Sequence, residues 1–291
     1  MKLYSISFKV EIGFEDIFEA IIENGFLDIL GYNVEYPAKE NSAIINIYNE
    51  TKEKLENNFN IIKDKLDINY NYEIKELDSE KYLTSYMDYL KPFKVGNITI
   101  VPNLRDYYKD LKEPVIYIAK QYAFGSGTHE TTYLALEMIN QYSLNNDIKL
   151  KSIADIGCGS GILSLFSYKL GARNITSVDI DSDAVHCSLD NAKYNDINLN
   201  NVIFGSAKDL NNMNLKFDLV VANIETDILI EIMTDLKKLL KENNLKENSY
   251  LILSGILLEK ESSMNNVLRE KELKIIDRKR KNDWVALMLS L

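Results

Sequence analysis

The chain is poor in the residues that cross-link proteins or bind metals. Its two cysteines, Cys158 and Cys187, make no disulfide framework. Two cysteines and two histidines with no metal-ligand spacing leave no set for a zinc site, so no metal is expected. No apolar run approaches membrane-spanning length. Met1-Lys2-Leu3-Tyr4-Ser5 lacks the apolar stretch of a secretion signal. These absences lead to the expectation of a cytoplasmic protein with no membrane partner. Positive charge is also short: 34 Lys and Arg face 44 Asp and Glu, a formal net charge of -10. That counts against a chain whose whole surface grips nucleic acid, and no direct nucleic-acid partner is expected. A basic protein partner is compatible with it, although most such charge is solvated surface.

What is present is globular. Hydrophobic residues make up 46% and aromatics 10%, unlike a disordered chain. A chain of 291 residues buries one large core or two smaller ones. A monomer is the default.

Tyr4, Ile6, Phe8 and Val10 alternate with polar residues as a strand. Phe14, Ile17, Phe18, Ile21 and Ile22 follow a helical stripe closed by Gly25. Strand-like runs follow at Tyr32–Tyr36 and Ala43–Tyr48, then a helix carrying Leu55, Phe59, Ile62 and Leu66, then a strand with Tyr70, Tyr72 and Ile74. The order β-α-β-β-α-β predicts a ferredoxin-like α+β domain over residues 1–78. A connector over 79–120 holds a helix capped by Ser79, with apolar Tyr82, Leu83, Tyr86, Met87 and Leu90, and short strands at Ile98–Val101 and Val115–Ala119. Residues 121–291 form the third segment. From Ser152 strands and helices alternate: strands at Ile153–Ile156, Ile175–Asp179, Val202–Phe204, Leu219–Ala222 and Tyr250–Leu253, helices at Ile162–Leu170, Ser182–Asn195 and Thr226–Lys241, then strands at Lys274–Ile276 and Val285–Leu289. That pattern predicts a mostly parallel sheet covered by helices on both faces.

The first of these strands runs into Gly157-Cys158-Gly159-Ser160-Gly161, which opens a helix. Glycines without Cβ at Gly157 and Gly159 let the backbone approach a ligand at the carboxyl edge of the sheet. Asp179 ends the next strand, where a carboxylate can accept bonds from both hydroxyls of a ribose. The Gly-x-Gly-x-x-Gly spacing of a dinucleotide site and a Gly-Lys-Ser/Thr phosphate loop are both missing. S-adenosylmethionine has a ribose and no phosphate, so it fits better than either. Asp155 orients the loop or the cofactor's ammonium group, or caps a turn. Cys158 is read as a packing residue, because no base stands beside it. Asn223 ends the fourth strand; its amide can hold an incoming amine, or cap the helix that follows. Upstream, Phe124, Gly125, Ser126, Gly127, Thr128, His129, Glu130, Thr131 and Thr132 form a polar loop leading into a helix. It can fold over the cofactor, with threonine hydroxyls on the methionine carboxylate. His129 alone is weak evidence for catalysis.

Ala123-Phe124-Gly125-Ser126-Gly127-Thr128-His129 with Thr131-Thr132, Asp155 to Leu163, Asp179-Ile180-Asp181, Asp190-Asn191-Ala192, Val220 to Ile224 and Leu253 to Leu257 together resemble the PrmA family, methyltransferases of the large-subunit ribosomal protein L11. The resemblance runs from about residue 80 to the end. It implies a Rossmann-like class I methyltransferase domain behind a substrate-recognising N-terminal domain. It also implies S-adenosylmethionine as cofactor, and transfer of methyl groups to lysine or N-terminal amines of ribosomal protein L11. Cofactor contacts carry over to Thr132, Gly157, Asp179 and Asn223. Glu130 stands where Pro is usual, which implies a less rigid loop. Glu225-Thr226 replaces a usual Leu-Ala pair and puts a carboxylate near the acceptor channel, directed into it or, preferably, to solvent. The alternatives are a methyltransferase of the same fold with another substrate, and an RNA-binding sheet using Tyr70 and Tyr72.

Overall fold

The computed structural model describes residues 3–11, 14, 18, 21, 27, 29, 31–35, 42–49, 51–66, 72–77, 92–102, 108, 111–112, 114–119, 129–242 and 248–291. The chain divides into two compact units, Met1–Tyr89 and Leu90–Leu291.

Alternation builds the first unit. In β1 (Leu3–Glu11), Ile6, Phe8 and Val10 are buried while Lys9 and Glu11 are exposed. β1 pairs antiparallel with β3 (Ser42–Asn49) and β4 (Tyr72–Leu77), and β2 (Gly31–Glu35) pairs antiparallel with β3. The order β2-β3-β1-β4 is the ferredoxin-like one. One helix, α1 (Lys52–Leu66), joins β3 to β4, and helical residues 14, 18 and 21 lie between β1 and β2. Phe18, Leu55, Phe59 and Ile62 cover the apolar face, with Phe8 edge-on to Phe18 and Phe59. Tyr72 tilts against Phe59 with ring centroids 4.3 Å apart. By its pairing opposite Phe8 it lies on the helix-covered face, with 47% of its surface exposed. Tyr70, Ile17, Ile22, Gly25 and the helix expected at Tyr82–Leu90 lie outside the described residues.

The second unit holds two sheets. In the smaller, β5 (Phe93–Val95) runs antiparallel to β6 (Ile98–Pro102), which runs parallel to β7 (Val115–Ile118). Their apolar residues join one core with Leu134, Met138 and Ile139 of α2 (Glu130–Asn145). The larger sheet has the order β10-β9-β8-β11-β12-β14-β13. Its parallel strands are β8 (Ser152–Ile156), β9 (Asn174–Asp179), β10 (Asn201–Phe204), β11 (Leu219–Asn223) and β12 (Tyr250–Leu257). β14 (Trp284–Ser290) enters antiparallel between β12 and the edge strand β13 (Lys274–Lys281). The helices are α3 (Ile162–Lys169), α4 (Ser182–Tyr194), α5 (Ala207–Asn212), α6 (Thr226–Leu239) and α7 (Glu261–Glu270). β11 shows why its apolar run is continuous: Leu219 and Val221 enter one core, Val220 and Ala222 the other, so both faces are covered.

β12 and β13 extend well beyond the predicted Tyr250–Leu253 and Lys274–Ile276. β12 passes through Gly255 by an irregularity in its pairing with β14. The order reverses at β8, with β9 and β10 on one side and β11 and β12 on the other. Connections that depart in opposite directions leave a crevice at the carboxyl ends of β8 and β11. None of the described helices is long and apolar enough to cross a membrane.

Candidate active site

The glycine loop occupies one wall of that crevice. Gly157 and Cys158 donate their N–H groups to Val178 O at 2.8 and 3.1 Å, which ties the loop to β9. Gly157, Gly159 and Gly161 have φ of 69°, 51° and 76°, the left-handed region that glycine adopts without penalty. Space sets the same demand. A Cβ on Gly157 would lie 2.9 Å from Ile224 Cδ1, and one on Gly161 2.5 Å from Ser188 Oγ. Asp179 Oδ2 accepts the Gly159 N–H at 2.9 Å, and its Oδ1 accepts the Asp181 N–H at 3.0 Å. Each oxygen therefore has one lone pair engaged by backbone and one left for a ligand. Beside it Ile180 and Phe204 leave large apolar surfaces exposed, a feature that strand alternation does not announce.

Asp155 is buried. Ser164 donates its hydroxyl to Oδ2 at 2.6 Å, and Ser177 lies 2.7 Å from the same hydroxyl. Oδ1 has no partner among the described residues. Burial raises the carboxyl to about 6, opposed by Ser164 and reinforced by the charge of Asp179. Burial likewise pushes the Cys158 thiol far up, which suits a packing residue. Because the folded Asp155 holds a proton that the unfolded chain has already released, stability falls as pH rises from about 4 to about 6 and stays lowered above that. At about 1.4 kcal/mol per pH unit the loss is roughly 3 kcal/mol. Asp155→Asn removes that loss but leaves an amide N–H to satisfy. We expect the ligand-free variant to be more stable than the parent by about 1 kcal/mol near pH 8, with no advantage near pH 4. Thermal melting at both pH values checks this; equal differences at the two would contradict it.

Across the crevice, Asn223 Nδ2 donates to Thr132 Oγ1 at 3.3 Å, while its buried Oδ1 has no partner among the described residues. Asn223 does not cap α6, whose N-cap position belongs to Glu225. Thr131 and Thr132 are buried in the first turn of α2. Ser254 donates to Thr131 O at 2.7 Å, joining that turn to β12. Ile224 N–H donates to Ser254 O at 3.1 Å. At Gly255, φ is 86° and a Cβ would fall 2.2 Å from Ile224 O. Gly255→Ala should destabilise the protein by about 3 kcal/mol, combining backbone strain with overpacking, read as a lowered denaturation midpoint.

These segments enclose a cavity of about 390 Å³ lined by His129, Thr131, Asn223, Ile224, Glu225, Ile228, Gly255 and Trp284. The size suits a small ligand or a single side chain. His129 is the N-cap of α2: Nδ1 accepts the Thr131 N–H at 3.3 Å and lies 2.9 Å from Thr131 Oγ1, and the ring stands edge-on to Trp284 at 5.2 Å. These contacts fix the ring at the start of α2 and in the cavity wall. Glu130 accepts from Asn282 Nδ2 at 3.0 Å. A backbone hydrogen bond first, and this amide second, hold its carboxyl below the usual range. Glu130 thereby tethers α2 to the β13–β14 turn.

The structure thus brings together Thr132, Asp155, Gly157, Gly159, Asp179 and Asn223 around one crevice. Phe124, Gly125, Gly127 and Thr128 lie outside the described residues. Sequence reasoning misses Ser164, Ile228 and Trp284, which reach the site only by tertiary packing, and names Ser254 only as part of a motif, without a role.

A family model described as ribosomal protein L11 methyltransferase (PrmA) matches residues 17–291. A protein of Campylobacter concisus named ribosomal protein L11 methyltransferase is 31% identical, the match covering 99% of this chain and 97% of that one. One of the same name from Caldicellulosiruptor saccharolyticus is 34% identical over 74% of this chain and 68% of its own. Among solved structures, the ribosomal protein L11 methylase of Lactobacillus delbrueckii subsp. bulgaricus superposes with a TM-score of 0.58 at 29% identity, covering 68% of this chain and 97% of that one.

Proposed function

Because the chain belongs to the ribosomal protein L11 methyltransferase (PrmA) family, we propose that it transfers methyl groups from S-adenosylmethionine to lysine or N-terminal amines of ribosomal protein L11. The reaction belongs in the cytoplasm, where ribosomes are built. Residues 1–78 recognise the substrate protein, 79–120 connect, and 121–291 carry the chemistry.

The observation that carries this reading is the Asn223 Oδ1, without a partner among the described residues, in the wall of a cavity beside the glycine loop. A buried acceptor without a donor is costly, and an amine N–H satisfies it. The other residues fit the cofactor. Gly157 and Gly159 give a cradle that a Cβ would fill or strain. Asp179 keeps a lone pair on each oxygen for the ribose hydroxyls, and Ile180 and Phe204 offer apolar surface to a purine. The free Asp155 Oδ1 suits an ammonium group. Thr132, with Phe124, Gly125, Gly127 and Thr128, completes the cofactor side.

When bound, the cofactor supplies an electrophilic methyl group. The chain's own task is alignment: Asn223 orients the amine so that its lone pair faces that methyl. A lysine begins near pKa ~10.4 and an α-amine near ~8. Entry into the apolar cavity lowers both by desolvation. The proton leaves to water, since Asn223 positions without deprotonating.

Incubation with methyl-labelled cofactor and ribosomal protein L11 tests the proposal. Label confined to amines of L11, located by mass mapping, is the expected result. Labelling of a different protein from a cell extract, with L11 left untouched, would refute it.

A further inference from the structure

We propose that Glu225 is a specificity-determining residue that receives the substrate's ammonium group at the entrance of the acceptor cavity, before the deprotonated amine reaches Asn223. The inference rests on the function proposed above and concerns the same cavity.

Three observations carry it. First, the cavity has a direction. Glu225 lines it and is exposed, whereas the Asn223 Oδ1 that also lines it is buried. A group entering from solvent meets the carboxylate before it meets the amide. Second, Ile228, Ile224 and Trp284 complete the wall, an apolar surface for the methylenes of a lysine side chain behind its charged head. Third, the carboxylate makes no direct bond among the described residues. Glu225 holds the N-cap position of α6 yet makes no side-chain capping bond. The neighbouring acid, Asp227, is paired with Lys260 at 2.5 Å. Glu130, between the lining residues His129 and Thr131, bonds Asn282. Among the described residues Glu225 has no ion-pair partner; Lys260, bonded to Asp227, feels its charge without pairing with it, so the carboxylate oxygens stay open to a visitor.

The role is recruitment, not proton abstraction. An exposed carboxylate is far too weak a base to hold a lysine proton, but a strong enough charge to select a cation. The alternative is that Glu225 only complements the dipole of α6. That alternative predicts a lowered Tm on neutralisation, and no effect on substrate binding.

Steady-state kinetics on ribosomal protein L11 separates the two. Glu225→Gln should raise KM about 5-fold, the scale of one exposed ion pair, with kcat changed less than about 2-fold. Glu225→Lys should raise KM further. Added salt should raise KM for the parent and lower it for Glu225→Lys, because screening weakens attraction in one and repulsion in the other. Glu231→Gln is the control: Glu231 is exposed on the same helix, away from the cavity wall, and the change alters net charge equally. Its KM should equal the parent's. Parent enzyme that labels L11, with an unchanged KM for Glu225→Gln or an equal rise for Glu231→Gln, would overturn the role of Glu225 alone. Parent enzyme that leaves L11 unlabelled would overturn the proposed function and this inference with it.

Discussion

Asp179→Ala lowers the affinity for S-adenosylmethionine by about 100-fold, as measured by titration calorimetry. The carboxylate has one lone pair free on each oxygen, and two ribose hydroxyls are the partners we assign to them. Hydrogen bonds to a charged acceptor are worth about 1.5 kcal/mol or more each, so losing both costs about 3 kcal/mol, the equivalent of 100-fold in Kd. The substitution also frees the Gly159 N–H, so part of the loss comes from a loosened glycine loop. Asp179→Asn separates the contributions. It retains one acceptor oxygen and should lose affinity by a smaller factor. At saturating cofactor, turnover of either variant should stay close to the parent's, since neither change touches the acceptor cavity. A Kd for Asp179→Ala within twofold of the parent value would remove Asp179 from the ribose site.

Asn223→Ala acts on the other half of the reaction. Turnover should fall by about 100- to 1000-fold, the range seen when one preorganised polar group is removed from a reacting centre. Cofactor affinity should change only a few-fold, because the Asn223 amide bonds Thr132 rather than the glycine loop. Asn223→Asp is the sharper variant. It keeps an acceptor oxygen but adds a negative charge, which favours the protonated amine and moves the optimum to higher pH. Single-turnover measurements across a pH range distinguish the two variants. Normal turnover in Asn223→Ala would exclude the positioning role.

Much of this arrangement is legible in the amino-acid sequence, and the reasons are local. β8 and β11 are short apolar runs and β9 is a short buried strand, each ending in or followed by a residue with chemistry: Asp155 with the glycine loop, Asn223, and Asp179. Burial on both faces makes such runs stand out. β13 is read short because Asp277, Arg278, Lys279, Arg280 and Lys281 carry no apolar alternation. At the edge of a sheet none is required, and charge discourages pairing with another chain. α5 and α7 escape notice for a related reason. Each buries only two side chains, Ala207 with Leu210 and Met264 with Leu268, too few to write a stripe. Trp284 gives no signal because it meets His129 only after the strands have assembled; Ser254 sits in a stretch that carries the family resemblance, but its bond to Thr131 is visible only in the fold. Glu225 was expected to face solvent, and it does; it also lines the cavity.

Ile224 matters for anyone who would redesign the acceptor slot. Its side chain closes against the Cα of Gly157, and its carbonyl against that of Gly255, so one residue is the spacer between the nucleotide-side loop and the substrate-side wall. Enlarging or shrinking it changes both compartments at once. A library meant to admit bulkier amines is therefore best confined to Glu225, Ile228 and Trp284, with Gly157, Ile224 and Gly255 treated as a single inherited block.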